Sequence, residues 1–276
     1  MVALFRTEMV KQWHRVRTYV VLSLTVLIPV IIAVALKANP PSSGDGGGGG
    51  AFTNFSLHTG LFIPVVALRF MSRFLLVIIV VLFAGDSIAS EAGWGNLRAM
   101  LTRPVGRGRV LLAKVESATL LAVIATALVG ITGLIAGIIT FGWHPLNIGI
   151  GGLGLHESIA QILVNLGIAS LYVLWGISGV AALALMVSTM TDSPATAVFA
   201  GFGLYIVSVI LDAITSLGTL RYILPTHYAD AWTNLFTNPS HGPSADMLRG
   251  SLLQILYILV FGGIAWWHFR RKDILS

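Results

Sequence analysis

LLAKVESATLLAVIATALVGITGLIAGIITF, residues 111–141, is the stretch whose reading decides the fold. From Ser117 to Phe141 it carries no charge, and about 20 consecutive, mostly apolar residues suffice for a helix to cross a bilayer. The block from Leu111 to Phe141 exceeds one span, so such a helix tilts or projects beyond the membrane. Working outward, similar blocks run from Tyr19 to Leu36, Phe70 to Ile88, Ile159 to Met186, Ala195 to Leu217 and Ser251 to Trp267. Hydrophobic residues make up 56% of the 276 residues and charged ones 10%, against about 25% charged in a soluble domain. The expectation is an all-α integral membrane protein of about six transmembrane helices, forming a single domain over residues 1–276. No internal repeat divides it.

The basic residues set an orientation, because Lys and Arg are retained on the cytoplasmic side of spans. With the N-terminus inside, that side holds Arg6, Lys11, Arg15, Arg17, Arg98, Arg103, Arg107, Arg109, Lys114, Arg270, Arg271 and Lys272. The other side keeps Lys37, Arg69, Arg73, Arg221 and Arg249. Both termini are therefore expected in the cytoplasm. The net charge of +6 follows from this asymmetry, and anionic lipid headgroups account for it without nucleic acid.

Before the first block, Phe5, Met9, Trp13 and Val16 recur at helical spacing while Arg6, Lys11, Arg15 and Arg17 fall elsewhere. Residues 1–17 are thus read as an amphipathic helix in the membrane interface, the alternative being an unstructured basic anchor. The block that follows is longer than the roughly 7–15 residues of a signal-peptide core, which favours a retained span. Cysteine is absent, so disulfides and thiolate chemistry are excluded. Pro40, Pro41 and the glycines from Gly46 to Gly50 form a flexible tether.

Between the second and third blocks lies DSIASEAGWGNLRAMLTRPVGR, residues 86–107. It reads as a short helix ended by Pro104, with Leu97, Met100 and Leu101 clustered beside Arg98 and Arg103. Such a surface either docks in a groove of a cytoplasmic partner or rests on headgroups. The spacing of Glu91, Gly95, Leu97, Leu101, Pro104, Val105 and Arg107, followed by Lys114, resembles the loop of permease subunits of type-2 ABC exporters. Asn96 departs from that pattern, which usually has Thr there. FRRKDI, residues 269–274, is similar to the family's ending.

The resemblance implies that residues 89–109 carry the coupling helix, with Glu91, Gly95, Asn96, Leu97, Arg98, Met100, Leu101, Pro104 and Arg107 facing the ATPase. It implies that residues 1–17 are the elbow helix and that 218–250, with Pro225, Trp232, Pro239 and Pro243, form outer re-entrant helices. It also implies two cytoplasmic ABC ATPase subunits and a second permease copy or close homologue, in a plasma membrane of prokaryotic type. No Lys here follows a Gly as a phosphate-binding loop requires. ATP and Mg would thus sit on the partner, with no cofactor on this chain and no catalysis by it.

Two rival readings come from other classes. Gly176-Ile177-Ser178-Gly179 matches the Gly-x-Ser-Gly of rhomboid proteases, but the only candidate base on the sixth span, His268, is expected at the cytoplasmic edge. The small residues Gly176, Ser178, Gly179, Ala181 and Ala182 also suit close helix packing. Arg69, Arg73 and Asp212 are intramembrane charge candidates for a channel or secondary transporter. Asp212 either pairs with Arg73 or Arg69, or meets water while the arginines snorkel. Gly130, Gly133, Gly137, Gly262 and Gly263 read as packing notches, and Asp192 as the cap of the fifth span. His144, His156, His227 and His241 lack a metal-ligand spacing.

Overall fold

Inside a bilayer every backbone N–H and C=O must be satisfied within the protein, which confines these apolar blocks to helices. A computed structural model describes residues 2–40, 50–93, 106–150, 153–237 and 242–271. Helix α1 spans Val2–Trp13, α2 Val16–Ala38, α3 Gly50–His58, α4 Ile63–Ser72 and α5 Leu75–Gly93. There follow α6 Arg107–Phe141, the strands β1 Leu146–Ile150 and β2 Leu153–Glu157, α7 Ile159–Met190, α8 Pro194–Ala213, α9 Asn234–Thr237 and α10 Ala245–Arg271. Helices α2, α6, α7, α8 and α10 are each long and apolar enough to cross a membrane, and α4 with α5 forms a sixth, broken candidate.

The second span differs from its expected bounds. It starts near Gly60, and its two halves meet at 52° around Arg73 and Phe74. The charges at Arg69 and Arg73 interrupt the apolar pattern, although Ile63, Val65, Leu68 and Met71 are fully enclosed before the break. At the break the Tyr205 hydroxyl of α8 donates to the Arg73 carbonyl (2.9 Å).

Two further corrections concern element ends. The fifth span stops at Ala213, and a 3-10 helix, Thr215–Ile223, succeeds it. The last helix starts at Ala245 inside the expected outer segment, with Ser244 Oγ accepting from the Met247 N–H (3.4 Å) and Asp246 in the first turn. A carboxylate there complements the helix dipole. Outside the helices, β1 and β2 form a short antiparallel pair with Leu146 opposite Glu157.

Helix α7 is central, flanked by α5 and α10, while α6 packs on α2 and α4 and α8 packs on α5. Two close approaches fix α6. A Cβ on Gly60 would lie 2.1 Å from the Gly137 carbonyl oxygen, and one on Gly133 2.7 Å from Pro64. Gly133 and Gly137 are therefore packing notches as expected, whereas Gly130, Gly262 and Gly263 face open space. At the end remote from α1, Phe52, Phe55, Phe62, Trp232 and Phe236 form an edge-to-face aromatic cluster, which welds α3 and α9 onto the bundle.

Candidate functional site

Helix α1 turns Phe5, Glu8, Met9 and Gln12 toward the bundle, an i, i+3, i+4, i+7 face. Phe5 and Met9 belong to the apolar stripe read from the sequence. Trp13 and Val16 are exposed, and Glu8 and Gln12 take the remaining buried positions. A glutamate so placed is costly unless it meets cations.

The cations come from α1 and α6. Lys114, near the start of α6 and only 1% exposed, places Nζ 2.9 Å from Glu91 and 3.4 Å from Glu8, and donates to the Ser87 carbonyl at 2.7 Å. Lys11 closes the ring, its Nζ 3.0 Å from Glu8 and 3.1 Å from Glu91. One turn before Glu91, Asp86 receives both Arg15 and Arg17. The chain can reach it because α1 ends at Trp13 and α2 starts at Val16, with Thr18 Oγ1 donating to the Gln12 carbonyl (2.7 Å) across the corner.

Three carboxylates and four cations thus lock α1, the corner before α2, the end of α5 and the start of α6 together. Burial works to raise the Glu8 pKa, but Lys114 and Lys11 outweigh it and hold the carboxyl below its ordinary value. Burial works to lower that of Lys11, but Glu91 and Glu8 overcome it and raise it. On the other side of α5, fully buried Ser188 of α7 accepts from the Ile88 and Ala89 N–H groups at 3.2 and 3.0 Å. The end of α5 is therefore held from two sides.

This assembly is the base of the loop expected to couple to a partner. Glu91 points into the ion cluster, while Gly95, Asn96, Leu97, Arg98, Met100, Leu101 and Pro104 lie outside the described residues. Arg107 opens α6, and its Nη1 donates to the Arg270 carbonyl of α10 (2.9 Å). Next to it Gly108 lets α10 approach, since a Cβ there would lie 2.3 Å from the Trp266 ring. Sequence reading did not single out Glu8 or Asp86. The available signal was Asp86 following Leu82 and Phe83 at helical spacing, whereas Glu8 has Leu4 and Phe5 on one side but Lys11 and Gln12 on the other.

The remaining candidate charges sit at the far end and have partners other than the expected ones. Asp212 is 2.6 Å from His227 Nδ1 and 3.5 Å from Arg221 Nε, so it pairs with neither Arg69 nor Arg73. Arg73 pairs with Asp230, and the Arg69 guanidinium lies 5.3 Å from the Phe52 ring centroid. Ser178 Oγ donates to the Trp175 carbonyl (2.5 Å) within its own helix. Gly179 receives the Gln254 side chain of α10, whereas Gly176 faces open space. Ser193, not Asp192, caps α8, accepting from the Thr196 N–H (3.4 Å) ahead of Pro194. Also at the far end, both Glu157 oxygens are buried without a hydrogen-bond partner among the described residues, and burial pushes this carboxyl up to about 7.

A family profile matches residues 52–275. The chain belongs to that family, DUF2705, described as proteins of unknown function. The DUF2705 match begins in α3 and includes Asp86, Glu91 and Lys114, while α1 and α2 precede it. No curated protein matches the chain.

Proposed function

We propose that this protein is the membrane-spanning subunit of an ATP-driven exporter of the type-2 ABC class, moved by a separate ATPase through the loop from Glu91 to Arg107. The observation that carries the reading is the pattern from Glu91 to Arg107, on a loop whose two roots are fastened to rigid parts. One root ends in the ion cluster and the other is stapled to α10 by Arg107 and Gly108. A push on such a loop reaches α1, α5, α6 and α10 together instead of dissipating in a flexible hinge.

Sidedness follows the same logic. Arg6, Lys11, Arg15, Arg17, Arg107, Arg109, Arg270 and Arg271 belong to the elements at one end of the bundle. At the other end Arg73, Arg221 and Arg249 are matched by Asp230, Asp212 and Asp246. The end with the excess of basic residues is cytoplasmic by the positive-inside rule. ATP and Mg are held by the partner, and a second copy or close homologue completes the permease.

Because the chain has no cysteine, single cysteines report contacts without background. Leu97→Cys and Met100→Cys should cross-link to a cytoplasmic ATPase in native membranes, and Tyr222→Cys at the far end should not. Equal labelling at all three positions, or none at Leu97 and Met100, would overturn the proposal.

A further inference from the structure

Helix α10 lies along α7 and meets α6 near Gly108, where the Trp266 ring fills the space a side chain would take. From that contact the two helices diverge and leave a wedge of about 220 Å³, with α7 as its floor. Its walls are apolar or small: Val115, Ala118, Ala122, Ala181, Ile258 and Gly262. Lys114 lies at its narrow end with its charge already taken by Glu8 and Glu91. An apolar cavity of about 150 Å³ in a protein interior already takes up a benzene molecule. An unfilled wedge of this size forfeits dispersion contacts along every wall.

The wedge is at membrane depth, and its two walls end in arginines. Arg109 is ten residues before Thr119 on α6, and Arg270 eight residues after Gly262 on α10. At 1.5 Å rise per residue they lie roughly 12–15 Å from those two wall positions, about half the thickness of the hydrocarbon core. Arg109, Arg270 and Arg271 are exposed, and the Arg107 bond to the Arg270 carbonyl holds the two helix ends together. Between wedge and arginines sit Trp266 and Trp267, the latter stacked under Arg271 at 4.5 Å, as at a headgroup boundary. An acyl chain in the wedge therefore brings its own phosphate to a cluster of exposed guanidinium groups.

We infer that the wedge between α6, α7 and α10 is a binding site for an anionic phospholipid of the leaflet at the basic end, one acyl chain in the wedge and the phosphate on Arg109 and Arg270. The site is independent of any ATPase. It is tested on the full chain in nanodiscs carrying phosphatidylglycerol or phosphatidylcholine with a photoactivatable group in one acyl chain. The adducts are mapped by mass spectrometry.

Phosphatidylglycerol should label residues 115–123 and 258–262 several-fold more than phosphatidylcholine. Gly262→Phe, whose Cβ meets nothing within 4 Å, should cut that labelling at least five-fold. Thr119→Phe, from an exposed position on the opposite wall, should do the same if Gly262→Phe does not fold. Arg109→Gln with Arg270→Gln should bring the two lipids to parity while leaving the tail in the wedge. Undiminished labelling in both filled variants, equal labelling by the two lipids in the unaltered protein, or adducts spread evenly over all the spans would overturn the proposal. So would cross-links from the wedge to a second copy of the chain.

Discussion

Lys114→Met keeps the length of the side chain and removes the ammonium that Glu8 and Glu91 share. Lys114 is 1% exposed and both carboxylate side chains are 7% exposed, so water cannot replace the lost partner. The Ser87 carbonyl also loses its donor. Breaking a buried ion pair from one side costs about 3–5 kcal/mol, because the surviving charge stays buried. For a chain of this size each kcal/mol corresponds to roughly 2–4 °C, so the melting midpoint should fall by on the order of 10 °C. The assay is thermal unfolding of the detergent-solubilised chain followed by tryptophan fluorescence. Adding Glu91→Met removes one charge of each sign and leaves Glu8 bridged to Lys11, so the double variant should recover a coupling of about 2–3 kcal/mol. A single variant within about 0.5 kcal/mol of the parent, as at an unremarkable surface site, would refute the reasoning. So would a double variant that loses the plain sum of the two singles.

The same cluster sets a pH window. Glu8, held below 4.5 in the folded state, contributes stability above that value that is lost as pH falls through its depressed pKa. Lys11, raised above 10.5, contributes below that value and loses its contribution as pH rises through its elevated pKa. Once Glu157 is replaced by Gln, the melting midpoint should therefore hold a plateau between these limits, and a midpoint that climbs at either extreme would contradict the assignment. Glu157 works in the opposite sense, because its carboxyl rises from 4.5 to about 7. Its ionisation erodes stability as pH rises between those values, and Glu157→Gln should flatten that slope in a thermal melt. Gly137→Ala puts a methyl 2.0 Å from the Gly60 carbonyl oxygen, and the forced separation of α4 from α6 should lower stability by about 1–3 kcal/mol. A neutral effect in a thermal melt would show that this contact is looser than described.

The spans were legible because each one is an uninterrupted apolar block, and α2, α6, α7 and α10 contain the stretches read from the sequence. The second span was cut short because Arg69 looks like an end. In the fold a bend follows at Arg73, which Asp230 and the Tyr205 hydroxyl tie to distant segments. The β-hairpin alternates too briefly, among too many glycines, to stand out. At the candidate site, Glu91 and Lys114 were visible through the spacing of the loop, but their mutual bridge was not, since 22 residues separate them on helices α5 and α6. Glu8 and Asp86 were hidden for a related reason. Periodicity identifies a face as buried only when its residues are apolar, and here the buried face carries charges compensated from elsewhere in the chain.

The most direct test of the coupling role is isolation of the full chain from native membranes in mild detergent, followed by an assay of ATP hydrolysis in the purified fraction. The account predicts co-isolation of a nucleotide-binding ATPase subunit in equal amount, lost on deletion of residues 94–105 while the chain itself remains folded. A chain that purifies without any ATPase, yet transports its substrate when reconstituted alone, would contradict it.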